Sequence, residues 1–433
     1  MILQKSKIEL ENEYFEKIKY IIEWYMLSIK EEYINDYIPP FRYEDYLITI
    51  SEFLPLINNE SREEYIEMGY SLAKGIKHKL EYEFENYKNP YMYSDLGYMA
   101  FSVYLFNKKT GLLEKFLYSL NNLLLNECYK KVIVLTSNNI FDVNTKNTDY
   151  DSIYGVSGVL NYLLEFKWRD EDLFKIIKLG EYLMSLCLEY EYKGYMVPRF
   201  HIKPENLINE KYKYIFPEGS LDFGMAHGML APLISITKLK SKVENIREID
   251  KAIDKIFNLY DVFLNKDDGY YKWPSQLSIE DYLKEESNYN SFAMSRWCYG
   301  GISIAKGLRN ASLNLKNDKL VKKYDNILKN LLTYKYDEYY LTTPILCHGH
   351  SSILSVMTIM YKETNDKDYL YNLNMTLKEI FQLFEPSLKY GFKTLDDSII
   401  DSTSFLEGTT GIILSLISIL SKESDYEKLL FLS

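Results

Sequence analysis

Along the chain, short glycine-containing segments alternate with runs that are apolar on more than one helical face. The segments are Leu96-Gly97-Tyr98-Met99-Ala100, Gly155-Val156-Ser157-Gly158, Gly224-Met225-Ala226-His227-Gly228, Tyr299-Gly300-Gly301, Cys347-His348-Gly349 and Glu407-Gly408-Thr409-Thr410-Gly411. The run behind Gly411 is the clearest, with Ile412, Ile413, Leu414, Leu416, Ile417, Ile419 and Leu420. After Gly349, Ile353, Val356, Met357 and Met360 recur at helical spacing. Helices apolar on most sides are buried. Between these runs lie helices with a single stripe. One carries Leu173, Ile176, Ile177, Gly180, Met184 and Cys187, with Glu171, Lys175, Lys178 and Glu181 off it. Another carries Leu320, Tyr324, Ile327 and Leu331.

Buried helices alternating with amphipathic ones predict two layers, an inner and an outer ring of helices. The expected fold is all-α, an α/α toroid spanning residues 1–433 as one domain. Lead glycines at 97, 155, 224, 300, 349 and 408 leave room for two helices per step. An open α-solenoid is the alternative, although its repeats are shorter, about 33–47 residues. A first repeat before residue 90 is too degenerate to read. Glycine lets the chain turn sharply into each inner helix and lets backbones approach closely. The inner-helix starts then gather at one end of the toroid. Residues 192–217 depart from the pattern. Gly194, Pro198, Pro204 and Pro217, with alternation at Tyr212, Tyr214 and Phe216, predict a small β-rich excursion.

Composition narrows the function. A chain of 433 residues that is 47% hydrophobic can bury a large core. The net charge of −11, without a basic block, disfavours a broad nucleic-acid footprint. The N-terminal sequence lacks the apolar core and cleavage site of a signal peptide. No stretch is apolar for long enough to be a transmembrane segment. The expected location is cytoplasmic, with any membrane association made through partners. Its cysteines are then thiols or metal ligands rather than disulfides.

Three of the four Cys and five His fall on the glycine-rich starts as potential ligands: Cys298, Cys347 and His348. Cys298 and Cys347 stand one repeat apart, so a toroid can bring them side by side. A Cys₂His set leaves one tetrahedral position open, the pattern of a catalytic zinc. Taken singly, each is more often a buried thiol or a structural imidazole. Their shared location favours a common Zn²⁺. Cys128 and Cys187 are read as core. His227 lies between glycines on another start, where a general acid or base and a structural role remain equally open. His78 and His201 stand outside the starts, and His350 is close enough to His348 to compete as a ligand.

Asp151-Ser-Ile-Tyr-Gly-Val-Ser-Gly158, Gly224-Met-Ala-His-Gly228, Trp297-Cys-Tyr-Gly300, Cys347-His-Gly349 and Leu406-Glu-Gly-Thr-Thr-Gly411 resemble, in order, the motifs of the lanthionine synthetase C-like cyclases. The resemblance runs from about Gly97 to the end of the sequence. It implies an α/α toroid that adds peptide cysteine thiols to dehydroalanine or dehydrobutyrine, forming thioether rings. By resemblance, Cys298, Cys347 and His348 match the zinc ligands, His227 the active-site histidine and Asp151 the aspartate before the Gly-x-Ser-Gly motif. Tyr299 matches the tyrosine after the first zinc cysteine. Arg296 is offset from the position of the family's arginine. Ser352 and Ala100 stand where the family has glycine. The implied substrate is a dehydrated precursor peptide, and a dehydratase and an exporter are the implied partners of a class I lanthipeptide pathway. A prenyltransferase-like subunit and a non-catalytic zinc protein binding thiol peptides are the competing readings.

The resemblance also suggests how the residues share the work. Asp151 orients His227 or stabilises its charged form. Tyr299 and Arg296 stand to hydrogen-bond a developing enolate oxygen. His227 is either the acid that protonates carbon or the base that takes the thiol proton.

Overall fold

The computed structural model describes residues 8–267, 269–287, 295–394 and 402–433. Within them, seven inner helices alternate with seven outer ones. The inner set is α2 (Tyr43–Phe53), α4 (Asp95–Thr110), α6 (Val156–Leu163), α8 (Leu230–Lys242), α10 (Gly301–Asn314), α12 (His350–Thr364) and α14 (Thr409–Leu420). The outer set is α1 (Asn12–Ile34), α3 (Asn59–Tyr82), α5 (Glu114–Phe141), α7 (Asp170–Ser185), α9 (Ile249–Val262), α11 (Asp318–Leu331) and α13 (Lys367–Gln382). The expected α/α toroid is the observed fold. Every residue of α6 and α14 is buried, whereas the long α5 buries only a stripe from Leu117 to Val132.

The inner ring closes. α2 packs against both α4 and α14, and α8, α10, α12 and α14 follow one another around the ring. The hydroxyl of Tyr162 on α6 donates to the Ala100 carbonyl of α4 at 3.0 Å, joining those two. Closure brings distant parts of the chain together. The outer helix α1 covers the last inner helix, α14, and Tyr14 of α1 meets Phe381 of α13 edge-on. Helix α2 belongs to the repeat that the sequence hides. It starts from Pro39, Pro40 and a 3₁₀ turn instead of a glycine-rich segment.

The segment after α14 returns into the ring and is buried at 425–427 and 429–432. Its backbone carbonyls hold other elements. Trp297 Nε1 donates to Leu430 O at 2.9 Å, and Asn310 Nδ2 to Phe431 O at 3.0 Å. The tail thereby anchors the residue next to Cys298.

The β-rich excursion is real but differently composed. Strand β1 (Glu189–Tyr192) pairs with β2 (Tyr195–Pro198) as a hairpin through Gly194, whose φ is +87°. Strand β3 (Ser220–Asp222) pairs with β6 (Gln276–Ser278), and β4 (Asn265–Asp267) with β5 (Tyr270–Lys272), so a second excursion between α9 and α10 contributes. The alternation at Tyr212, Tyr214 and Phe216 is not a strand. Tyr212–Ile215 is a helical turn, closed by Phe216 N donating to Tyr212 O and by the Tyr212–Phe216 ring contact. Aromatic residues four apart stabilise one helical turn, and three alternating positions do not distinguish the two periods.

Candidate active site

The glycine-rich starts are tied to one another by backbone hydrogen bonds. Met92 N donates to Ile153 O (2.9 Å), Ser152 N to Ala226 O (3.2 Å) and Ala226 N to Cys298 O (3.2 Å). Cys298 N donates to Cys347 O (3.3 Å), and Cys347 N to Leu406 O (2.9 Å). Six starts thus form a belt at one end of the toroid. The glycines are needed for close approach rather than for a left-handed backbone. Gly300 has φ −85°, yet a Cβ there would lie 2.3 Å from Arg296 O.

A cavity of about 570 Å³ opens beside the belt. Tyr154, His227, Cys298, Tyr299, Cys347 and Glu407 line it, together with Glu44, Asp45, Lys79, Asp95 and Tyr98 from the α2–α4 side. His227, Asp151, Tyr299, Cys298, Cys347 and His348 are all brought to this end of the fold. Arg296 is exposed and does not line the cavity, but its charge acts on both thiols.

Asp151 is fully buried and fixed by its own loop. Its Oδ1 accepts from the backbone N–H groups of Ile153, Tyr154 and Gly155 at 3.0, 2.7 and 2.7 Å. Its Oδ2 lies 2.7 Å from His227 Nδ1. A carboxylate in this position accepts, so Nδ1 carries the proton and Nε2 is the ring nitrogen left for the cavity. Burial alone would lower the imidazole pKa. The hydrogen bond and charge of Asp151, reinforced by Asp222 and Cys298, outweigh it and raise the value. Tyr154 stacks on the His227 ring.

The two thiols are hydrogen-bonded to each other and are shifted in opposite directions. The hydrogen bond from Cys347 lowers the pKa of Cys298 against the cost of burial, helped by the charges of Arg296 and His227. The partner sulfur and burial push Cys347 well up. Cys347 also belongs to a second group. Its sulfur, a His348 ring nitrogen and a Glu407 carboxylate oxygen all lie within 4.8 Å of one another. Two sulfurs and an imidazole are a donor set that suits zinc. His350 is not part of it. Tyr336 OH lies 2.7 Å from its Nδ1 and stacks on its ring, and burial lowers its pKa to about 4.

Several site neighbours lie outside the motif residues first singled out. Asp222, at the end of β3, is buried, and burial raises its pKa to about 6. Its Oδ1 accepts from Gly224 N at 2.9 Å, and the Tyr299 hydroxyl donates to its Oδ2 at 3.3 Å. Asn147 Nδ2 donates to His227 O at 2.7 Å. Lys131 donates to the carbonyls of Thr148 and Tyr154, both at 2.8 Å, pinning the Asp151 loop from below. Their signal in sequence is weak, because each lies between motifs. Glu407 stands within a glycine-rich start, where a carboxylate could have been counted as a donor.

The family model described as lanthionine synthetase C-like protein matches residues 57–432. The nisin biosynthesis protein NisC of Lactococcus lactis subsp. lactis is 29% identical over 278 residues. That match covers 63% of this chain and 61% of that protein. Among solved structures, one titled nisin cyclase superposes with a TM-score of 0.74 at 23% identity, covering 89% of each chain.

Proposed function

The chain belongs to the lanthionine synthetase C-like family, and from that premise we propose that it is a zinc-dependent lanthipeptide cyclase. Its substrate is a dehydrated precursor peptide, whose cysteine thiols add to dehydroalanine or dehydrobutyrine. The observation that carries this reading is one cavity lined by both the Cys298–Cys347 pair and the Asp151-bound His227. A thiol pair alone fits a binding protein. A proton-holding imidazole beside it fits an addition that must end with a proton on carbon.

Cys298, Cys347 and His348 would hold the zinc, which when bound would supply a position that lowers the pKa of a substrate thiol. The substrate sulfur forms a bond to the β-carbon, and the π electrons move toward the neighbouring carbonyl oxygen. Tyr299, which lines the cavity, would receive that charge, whereas Arg296 lies outside the cavity and acts through its charge on the two thiols. His227 gives its proton to the α-carbon, and the raised pKa keeps that proton available near neutral pH. Asp151 holds the ring in one orientation and stabilises the imidazolium. A dehydratase supplies the dehydro residues, and an exporter takes the product from the cytoplasm. No helix among the described residues is long and apolar enough to cross a membrane.

Incubating the chain with zinc and a peptide carrying a dehydro residue and a cysteine tests this directly. Ring closure leaves the mass unchanged and removes the thiol from alkylation. A zinc-loaded protein that leaves all thiols alkylatable would overturn the assignment.

A further inference from the structure

The α2–α4 side of the cavity takes no part in the chemistry described above, yet it is the more charged side. Glu44 and Lys79 form a buried ion pair at 2.8 Å. The Lys79 ammonium also donates to Pro40 O at 3.1 Å and lies over the Tyr87 ring. Those two charges cancel. Asp45, one residue on, has no such partner. It lines the cavity at 6% exposure and makes no ion pair among the described residues. Its Oδ1 accepts from the neutral Tyr98 hydroxyl at 2.5 Å, and its Oδ2 has no hydrogen-bond partner among those residues. Asp95 adds a second carboxylate to the same wall, held only by the Asn89 amide at 2.8 Å.

A carboxylate removed from water is costly unless a cation pairs with it. The nearby cations are committed elsewhere. Lys79 serves Glu44, and Arg42 pairs with Glu32 at 3.2 Å. Burial therefore raises the Asp45 pKa to about 8. Tyr98 of α4, Glu44 of α2, Arg42 before it and Lys79 of α3 all act on Asp45, and Asp45 acts on Tyr25 of α1. The empty wall holds a proton near neutral pH, and an entering cation replaces it.

The wall is continuous with the thiol end of the cavity. Tyr93 packs on Trp297, the residue before Cys298, and on Phe405, both at 5.9 Å between ring centroids. Phe405 packs in turn on Tyr98, the partner of Asp45. About five extended residues of peptide span those three ring contacts. Phe41 and Met99 line the same side and offer apolar surface to a long side-chain stem.

We propose that this wall is a subsite for a lysine or arginine side chain of the substrate peptide, with Asp45 as its counter-charge. It rests on the substrate being a cysteine peptide, as proposed above. The subsite sets which peptide segment lies beside the thiol pair. It acts on binding and takes no part in bond formation.

The test uses the full zinc-loaded chain and labelled peptides with a blocked N-terminus, one cysteine, and alanine in place of the dehydro residue. One lysine is walked through about five positions on either side of the cysteine. Each lysine peptide is paired with its norleucine counterpart, which keeps the stem and removes the charge. At the best position, fluorescence anisotropy should show wild type binding lysine about tenfold more tightly than norleucine. Asp45→Asn keeps an acceptor for Tyr98 and should erase that preference, with norleucine peptides bound within about twofold of wild type. In wild type the preference should grow as pH rises toward and through about 8, because the ionised carboxylate is the form that binds. This last measurement needs no variant to fold. With the dehydro residue restored, D45N should raise KM for the lysine peptide and leave kcat within about twofold. The proposal is overturned by a wild type with no preference at any position, by a preference that D45N retains, or by equal weakening of both peptides. Lysine-selective binding without thioether formation would instead remove the cyclase reading alone.

Discussion

Four cysteines sit in this fold, and two of them show what the other two are for. Cys128 lies on the buried stripe of α5, and Cys187 follows α7, packed under α9. Burial pushes each thiol up to about 12. Cys298 and Cys347 are half-buried at the cavity wall, where Cys298 is pulled down by its partner thiol, Arg296 and His227 while Cys347 is pushed up. Desolvation alone makes a thiol inert. A thiol becomes reactive where the fold also supplies a proton partner and positive charge. Here that supply comes from the backbone belt, which draws residues from separate repeats to one rim of a cavity.

The largest test of this contrast is removal of each thiol. Cys298→Ala or Cys347→Ala should abolish ring formation in the alkylation assay. Cys128→Ala or Cys187→Ala should leave the rate within about twofold while costing about 1 kcal/mol, or roughly 2 °C in Tm. Equal activity loss in both pairs would break the contrast. Next in size, His227→Ala should keep its metal and form rings about 10²–10⁴-fold more slowly. Unchanged ring formation would remove His227 from the reaction.

A smaller effect sharpens the electrostatic part. The His227 pKa is raised, so its proton is held below that value and lost as pH rises through it. The rate should fall along that alkaline limb. The stability contributed by the Asp151–His227 pair follows the same sign. It is complete below the ordinary imidazole value near 6.5 and is lost as pH rises through the folded value. Asp151→Asn removes the charge and leaves burial, which lowers the pKa, so the limb should move to lower pH. A limb that stays in place would contradict an imidazolium donor. Smallest of all, Arg296→Gln should slow iodoacetamide modification of metal-free Cys298 by a few-fold, because the guanidinium is exposed and largely screened.

Much of this is legible in the amino-acid sequence. Apolar coverage on all sides of Ile412–Leu420 marks an inner helix, because only the centre of two layers buries every face. The stripe through Ile176 and Gly180 marks an outer one. Glycines at fixed places marked the starts, although their reason is backbone contact, as at Gly300 and Gly408. Helix α2 was hidden because two prolines do the same job at its start. The turn at Tyr212–Ile215 read as a strand because three aromatic positions satisfy both periods. Among site residues, those inside motifs were visible. Asp222, Asn147 and Lys131 were not, since each lies outside the motifs and only its side-chain hydrogen bonds tie it to the site residues and the Asp151 loop. Glu407 carries no donor signal of its own in sequence, because carboxylates are common on surfaces and only proximity to Cys347 and His348 singles one out.

Metal content per chain tests the central claim most directly. After purification with zinc and removal of loosely bound ions, the wild type, Cys128→Ala and Cys187→Ala should each retain about one zinc per chain. Cys298→Ala and Cys347→Ala should retain essentially none. Full zinc in either of the last two variants, in a folded protein, would contradict the account.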